Sequence, residues 1–269
     1  MISVVMLMPL ILLLILDTGS SGAQLHSGII GGQDATEGKW PWMAALFEKN
    51  QKGNFEQYCG GSLIRQQWVL TAAHCTSGKK KGSLRVRVGT SWRVIRNKNE
   101  QKKLRLVKKV IQHPKYTDTS MDFDVALLQL SVPKKMKHIK TLQLLATRET
   151  APVGQKCWVT GWGRTSEKGS LSRVLQQLQV PIIEKSECQR MYPNDRIGHE
   201  VICAGDKEGG RGTCQGDSGG PLVCDLTGKW VQVGIVSWAD GCAEKNKPTV
   251  YANVGHYFNW IKEQMSKLD

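Results

Sequence analysis

The sequence predicts an all-β chain, a barrel or sandwich of short strands closed by one terminal helix. Three observations lead there. Short apolar or alternating runs recur along the chain, each bounded by Gly, Pro or polar clusters, which is the spacing of a strand-and-turn fold. Helical spacing appears at the end, where Phe258, Ile261 and Met265 recur among Lys and Glu. And 269 residues that are 40% hydrophobic, with nine Trp, fill a real core, which excludes a disordered chain.

In order, residues 2–16 form an apolar run broken by Ser3 and Pro9 and followed by small and polar residues through Gly22 and Ala23. It is too short to span a bilayer comfortably and ends in a small-residue cleavage region, so residues 1–23 read as a secretory signal peptide. A signal anchor is the alternative, since no Lys or Arg precedes the run. Strands are expected over 42–47, 62–63, 68–70, 84–88, 105–111, 125–129, 156–161, 176–182, 221–223, 231–238 and 249–253. The closing helix is expected over 257–268, with no apolar tail after it to suggest an anchor. No internal repeat and no Asn-x-Ser/Thr acceptor is visible.

The chemistry centres on Thr213-Cys-Gln-Gly-Asp-Ser-Gly-Gly-Pro-Leu222. A serine hydroxyl is a poor nucleophile near neutral pH and needs a base, an orienting group and donors for a developing oxyanion. The glycines around Ser218 let the amide hydrogens of Gly216 and Ser218 point at one oxygen. Alone this pattern is weak, because α/β-hydrolases carry Gly-x-Ser-x-Gly as well. Thr71-Ala-Ala-His74-Cys75 and Asp122-Phe-Asp124-Val-Ala-Leu-Leu128 supply a histidine and an aspartate ahead of the serine. The order His, Asp, Ser differs from the hydrolase order Ser, Asp, His.

With Ile29-Ile-Gly-Gly32, Cys59-Gly-Gly-Ser-Leu-Ile64, Leu70–Cys75, Asp124–Leu128, Gly161-Trp-Gly163, Gly216–Pro221 and Val236-Ser-Trp238, the chain resembles the chymotrypsin family of serine proteases from Ile29 to Lys262. The resemblance implies two six-stranded antiparallel β-barrels with the active site between them. It implies His74, Asp124 and Ser218 as the catalytic triad, with Asp122 the nearest rival for the acid. Gly216 and Ser218 supply the oxyanion hole, and Ser237 supports Asp124. Residues 24–28 become a short propeptide and 29–269 the peptidase domain. Freed at Ile29, the new amine would pair with the Asp217 carboxylate and order the oxyanion loop. Gly28 precedes that point where a trypsin-like activator needs Lys or Arg. A cut after Gly22 leaves six residues, an even number that suits trimming by a dipeptidyl peptidase, as in granule-stored members.

Eight cysteines behind a secretion signal are expected to be disulfide-bonded, and no Cys-x-x-Cys knuckle suggests zinc. The resemblance implies the pairs Cys59 with Cys75, Cys157 with Cys224, Cys188 with Cys203, and Cys214 with Cys242. It also places Gly212, Thr213, Gln215, Ser237, Trp238, Ala239 and Thr249 around the substrate. Gly212 stands where trypsin-like members carry the aspartate that receives Arg or Lys. Ala239 and Thr249 narrow the walls, so small aliphatic P1 residues are expected, with a chymotrypsin-like preference as the alternative. Asp240 beside the wall reads as a solvated loop residue. No cofactor and no metal are implied, and the partners are protein or peptide substrates and serpin-type inhibitors.

The formal charge is +14, and removal of the residues before Ile29 takes away Asp17 but no Lys or Arg, raising it by one. Lys79, Lys80, Lys81, Arg85, Arg87, Arg93, Arg96, Lys98, Lys102, Lys103, Arg105, Lys108 and Lys109 fall in one stretch, with Lys134, Lys135, Lys137 and Lys140 further on. The readings are a solvated basic face or a surface for heparin or a proteoglycan. Glu100 is almost the sole carboxylate there, so the calcium site of several family members is not expected. His113, His138, His199 and His256 read as ordinary surface or loop residues. A secreted, granule-stored endopeptidase is the resulting expectation, and a cationic heparin-binding protein with little protease activity is its rival.

Overall fold

The computed structural model describes residues 29–95, 97–131, 139–147 and 149–268. The leader, the propeptide, Arg96, Lys134, Lys135, Lys137 and His138 lie outside the described residues.

The N-terminal half closes a barrel from β2 (Met43–Lys49), β3 (Phe55–Arg65), β4 (Trp68–Thr71), β5 (Leu84–Val88), β6 (Arg105–Gln112) and β7 (Ala126–Leu130). Around the barrel the order is β2-β3-β4-β7-β6-β5, antiparallel throughout, and β5 closes on β2 through pairs such as Leu46 with Val86. Strands with small or apolar residues on both faces, such as Trp68–Thr71, are buried along their whole length.

The C-terminal half closes a second six-stranded barrel from β9 (Lys156–Gly161), β10 (Gln176–Ile183), β11 (Val201–Ala204), β14 (Thr249–Asn253), β13 (Lys229–Trp238) and β12 (Pro221–Leu226). Two short strands, β1 (Gln33–Asp34) and β8 (Gln143–Leu144), add to β10 and β13. Short helices α1 (Lys98–Gln101) and α2 (Lys185–Met191) interrupt the loops, and α3 (Val254–Ser266) packs Tyr257, Ile261 and Met265 inward.

The seam between the barrels is where the site sits. Ala35, Trp40, Trp42, Met43, Phe47, Trp162, Leu175 and Val223, drawn from both halves, form one buried cluster. Each large apolar side chain removed from water there contributes about 1.5–3 kcal/mol. Buried polar links cross the same seam: Ser62 Oγ donates to Gln232 Oε1 at 2.6 Å and Trp40 Nε1 to Gln177 Oε1 at 2.9 Å. The barrels are therefore fixed in register, and side chains from each can meet.

Several elements differ from expectation. The 62–63 strand is the end of an eleven-residue β3. The sequence reading passed over β1, β8, β11, α1 and α2, and α3 begins three residues earlier than expected, at Val254, because Asn253 caps it by accepting from the Gly255 N–H at 3.1 Å. His113 is not an ordinary loop residue: its ring stacks on Phe123 at 4.9 Å and meets Trp260 at 5.0 Å. Burial, with Lys115 and His256 nearby, holds its pKa below the usual histidine value. Arg87, read as part of a basic face, is buried and ion-paired to Glu100 at 3.7 Å. Asp240 is the exposed loop residue expected, and it pairs with Lys247 at 2.6 Å.

Candidate active site

Asp124 is delivered at the mouth of β7 by a tight turn in which Val125 N–H donates to the Phe123 carbonyl at 2.7 Å and Phe123 takes φ 54°. A left-handed phenylalanine is uncommon, and the His113 stack holds it. The carboxylate is buried, and it is Asp124 rather than Asp122 that reaches His74. Its Oδ2 lies 2.7 Å from His74 Nδ1 and accepts from Ser237 Oγ at 2.5 Å, while its Oδ1 accepts the His74 backbone N–H at 2.9 Å. A carboxylate only accepts, so Nδ1 is the donor in this contact, and it is Nε2 that carries the lone pair in the neutral imidazole.

Ser218 comes from the second barrel, half-buried. Its carbonyl accepts the Gly60 N–H at 2.8 Å, and the Gly60 carbonyl takes the Thr71 hydroxyl at 2.8 Å, three residues before His74. The next residue, Gly219, donates to the Val236 carbonyl at 2.8 Å. The serine loop is thus fastened to the strand pair that presents the histidine. The Cys59–Cys75 disulfide ties β3 to the turn that follows β4, beside His74.

The oxyanion loop is held from behind. Arg164 N–H donates to the Gln215 carbonyl at 2.9 Å, and a trans peptide turns the Gly216 N–H the opposite way. Gly216 has φ 97°, and a Cβ there would come within 2.6 Å of Leu171. Gln57, which sequence reasoning missed, is buried beside it and reaches the carbonyls of Cys59 at 3.0 Å and Gly216 at 3.5 Å. Asp217 is buried, accepting from Gly163 N–H at 2.8 Å and Cys214 N–H at 3.0 Å. Burial pushes its carboxyl up to about 7, with those two N–H groups pulling the other way. Ile29 is buried too, and Gly212 N–H donates to the carbonyl of Ile30 at 3.0 Å.

Beyond Ser218 the pocket residues gather. Gly212 lies against Ala243, whose Cβ would stand 3.2 Å from a Cβ added at Gly212. The Thr213 and Thr249 hydroxyls meet at 2.8 Å, both side chains buried. Tyr251 is buried next to Thr249, and burial raises its pKa. Trp238 packs edge-on against Tyr192 at 5.0 Å, and the Tyr192 hydroxyl donates to the Pro248 carbonyl at 2.7 Å. Tyr192 is a second residue that sequence reasoning missed, since it arrives from the end of α2. Ala239 is half-buried and Gln215 exposed.

The four disulfides join Cys59 with Cys75, Cys157 with Cys224, Cys188 with Cys203, and Cys214 with Cys242. Among the described residues the one cluster with a metal-like donor set is Cys59, His74 and Cys75, and its two sulfurs are spent on a disulfide.

A family model, that of trypsin, matches residues 29–261. The chain belongs to the trypsin family. It is therefore a serine protease hydrolase acting on protein or peptide substrates, and the two closed barrels are the trypsin fold. Among the described residues no helix is long and apolar enough to cross a membrane.

Proposed function

We propose that this trypsin-family chain is a secreted, cationic serine endopeptidase that works through His74, Asp124 and Ser218 and prefers small aliphatic side chains at P1. The observation that supports it best is the saturated Asp124 carboxylate, bonded to His74 through ring and backbone and to Ser237. Ser218 attacks the scissile carbonyl carbon as its proton passes to His74 Nε2. The C–N bond then breaks with that proton going to the amine, and water repeats the sequence on the acyl-enzyme. The N–H groups of Gly216 and Ser218 take the oxyanion, and the backbone of Ser237, Trp238 and Ala239 pairs with the substrate as a short strand.

The P1 preference rests on what the pocket contains. Gly212 puts no charge at the base, the joined hydroxyls of Thr213 and Thr249 are buried together, and Ala239 adds a methyl where a glycine would leave room. The test is kcat/KM on peptides differing only at P1, with Ala, Val, Phe and Arg, beside a Ser218→Ala control. Ala or Val should lead Phe by about tenfold or more. A Phe preference overturns the narrow slot, an Arg preference overturns the role of Gly212, and an active Ser218→Ala protein overturns the triad.

In the same reading, residues 1–23 direct secretion and storage in granules, 24–28 are trimmed, and the Ile29 amine then pairs with Asp217. A serpin-type inhibitor would intercept the acyl-enzyme. N-terminal sequencing of secreted, active protein should begin at Ile29.

The charge supports a second reading alongside catalysis, binding of heparin or a proteoglycan. Lys80, Lys81, Lys98, Lys102, Lys103, Lys108 and Lys109 are exposed. Each phosphate- or sulfate-like contact made by a lysine releases counterions, so retention on heparin should fall steeply with salt. Elution unchanged by neutralising Lys79, Lys80 and Lys81 would place binding elsewhere.

A further inference from the structure

Away from the catalytic cleft, the two barrels are joined by a short antiparallel bridge. Trp92 pairs with Val174, Arg93 N–H donates to the Arg173 carbonyl at 2.9 Å, and Leu175 N–H donates to the Ser91 carbonyl at 2.7 Å. In that register Arg93 and Arg173 stand directly opposite one another, on the same face of the ribbon. Like charges in directly opposed positions destabilise a strand pair. Among the described residues neither guanidinium has a carboxylate in an ion pair, although the chain carries 23 Asp and Glu.

Arg93 is half-buried and its Nε–H donates to the Ser172 carbonyl at 2.9 Å, which holds its guanidinium in place, while the Arg173 side chain opposite it in the register is exposed. Burial, and after it the neighbouring Arg173 charge, lowers the pKa of Arg93. Arg173 also lines an open groove of about 510 Å³ with Thr165, Ser166 and Ser170, whose hydroxyls donate to anions. Asp34 is the carboxylate in that groove, and it is engaged by the Gln176 amide at 2.6 Å.

The segment carrying Arg173 is the one that braces the oxyanion loop. Its Gly163 N–H holds Asp217, its Arg164 N–H holds the Gln215 carbonyl, and its Leu171 packs on Gly216. We propose that Arg93 and Arg173 form a binding site for a sulfate- or phosphate-type oxyanion, and that its occupancy steadies the 163–174 segment and with it the oxyanion loop. The tetrahedral oxyanion bridges two forked donors and cancels the repulsion across the bridge. Inorganic sulfate and a sulfate ester on a glycan share this chemistry. The rate effect rests on the hydrolase reading above, whereas the binding itself does not.

The experiment uses processed protein from cells expressing the full chain, titrated with sodium sulfate against sodium chloride at equal ionic strength. Sulfate should raise Tm saturably by about 2–4 °C over chloride. It should raise kcat by up to about fivefold with little change in KM. Arg173→Gln should raise Tm without added sulfate, because repulsion is relieved, and should abolish both sulfate responses. A sulfated disaccharide that reproduces the responses at lower concentration than inorganic sulfate identifies the glycan ester as the better source, and the reverse order identifies the free ion. Equal effects of sulfate and chloride on the wild-type Tm, or a full sulfate response retained in Arg173→Gln, overturn the site. A Tm response with an unchanged rate on a cleaved peptide overturns the coupling. If no peptide is cleaved under any condition, the hydrolase reading fails while the Tm comparison still decides the site.

Discussion

The Thr213 and Thr249 hydroxyls lie 2.8 Å apart inside the second barrel, each buried and each the other's partner. Replacing Thr249 with Gly removes one wall of the slot and strands the Thr213 hydroxyl. The Thr249→Gly protein should shift kcat/KM from Ala toward Phe at P1 by at least about tenfold, the size of effect one or two methylenes' worth of space produces. It should also lose about 1–3 kcal/mol of stability through the unpaired hydroxyl. Matched-peptide kinetics and a denaturant melt read both.

Ser237 gives Asp124 its remaining side-chain donor. Ser237→Ala leaves a buried carboxylate with fewer hydrogen bonds, at a cost of about 1.5–3 kcal/mol for a bond to a charged group. His74 is then less firmly oriented, and kcat should fall by about tenfold or more while KM changes little. An unchanged kcat would remove Ser237 from the supporting chain.

Gly216 has no room for a side chain, since Leu171 lies 2.6 Å from the position of a Cβ and φ is 97°. Gly216→Ala should turn its N–H away from the oxyanion position and lower kcat by about 10²–10³, the typical effect of losing one such donor. Binding of a substrate-like peptide to an added Ser218→Ala background should be nearly unchanged.

Asp217 sets a pH signature. In the uncut chain no cation pairs with it among the described residues, and burial raises its carboxyl to about 7 against an unfolded value near 3.8. The folded state therefore holds more protons between about pH 4 and pH 7, and stability falls as pH rises through that window. The full effect is roughly 4 kcal/mol. Once a free Ile29 amine pairs with the carboxylate, the charged form is favoured and this slope should vanish. Melting curves from pH 4 to pH 8 on uncut and processed protein compare the two, and identical slopes would show that Ile29 does not reach Asp217.

Much of the site was legible because its motifs are local. Asp217-Ser218-Gly219, Ala73-His74-Cys75 and Asp124-Val125 each encode a turn or strand end that needs those residues in that order, and the order of the three along the chain narrows the family. The alternating runs at 84–88 and 156–161 became strands with those bounds for the same reason. What failed was non-local. The 55–61 part of β3 was hidden by Gly60 and Gly61, which look like a turn. Both pair with β2, and glycine is needed there because Val69 and Leu70 approach within about 3 Å of where a Cβ at Gly61 would stand, as Gly220 does for Gly60. Tyr192 and Gln57 act on residues 56 and 159 positions away, and no pattern near either announces that. His113 reads as a loop histidine until α3 folds Tyr257 and Trp260 against it. Arg93 and Arg173 become neighbours only when the two barrels dock.

Closure of both barrels has a consequence for the lifetime of the molecule. A protease of this kind takes its substrate as an extended segment laid alongside its own backbone, so a victim must offer an unpaired strand. Rolled into two cylinders, the chain has nearly all of its extended backbone already paired and presents other copies of itself little to grip. Self-digestion is thereby steered to the surface loops whose backbone is left unpaired. A concentrated store of the active protein should age by nicks there, long before either cylinder is breached.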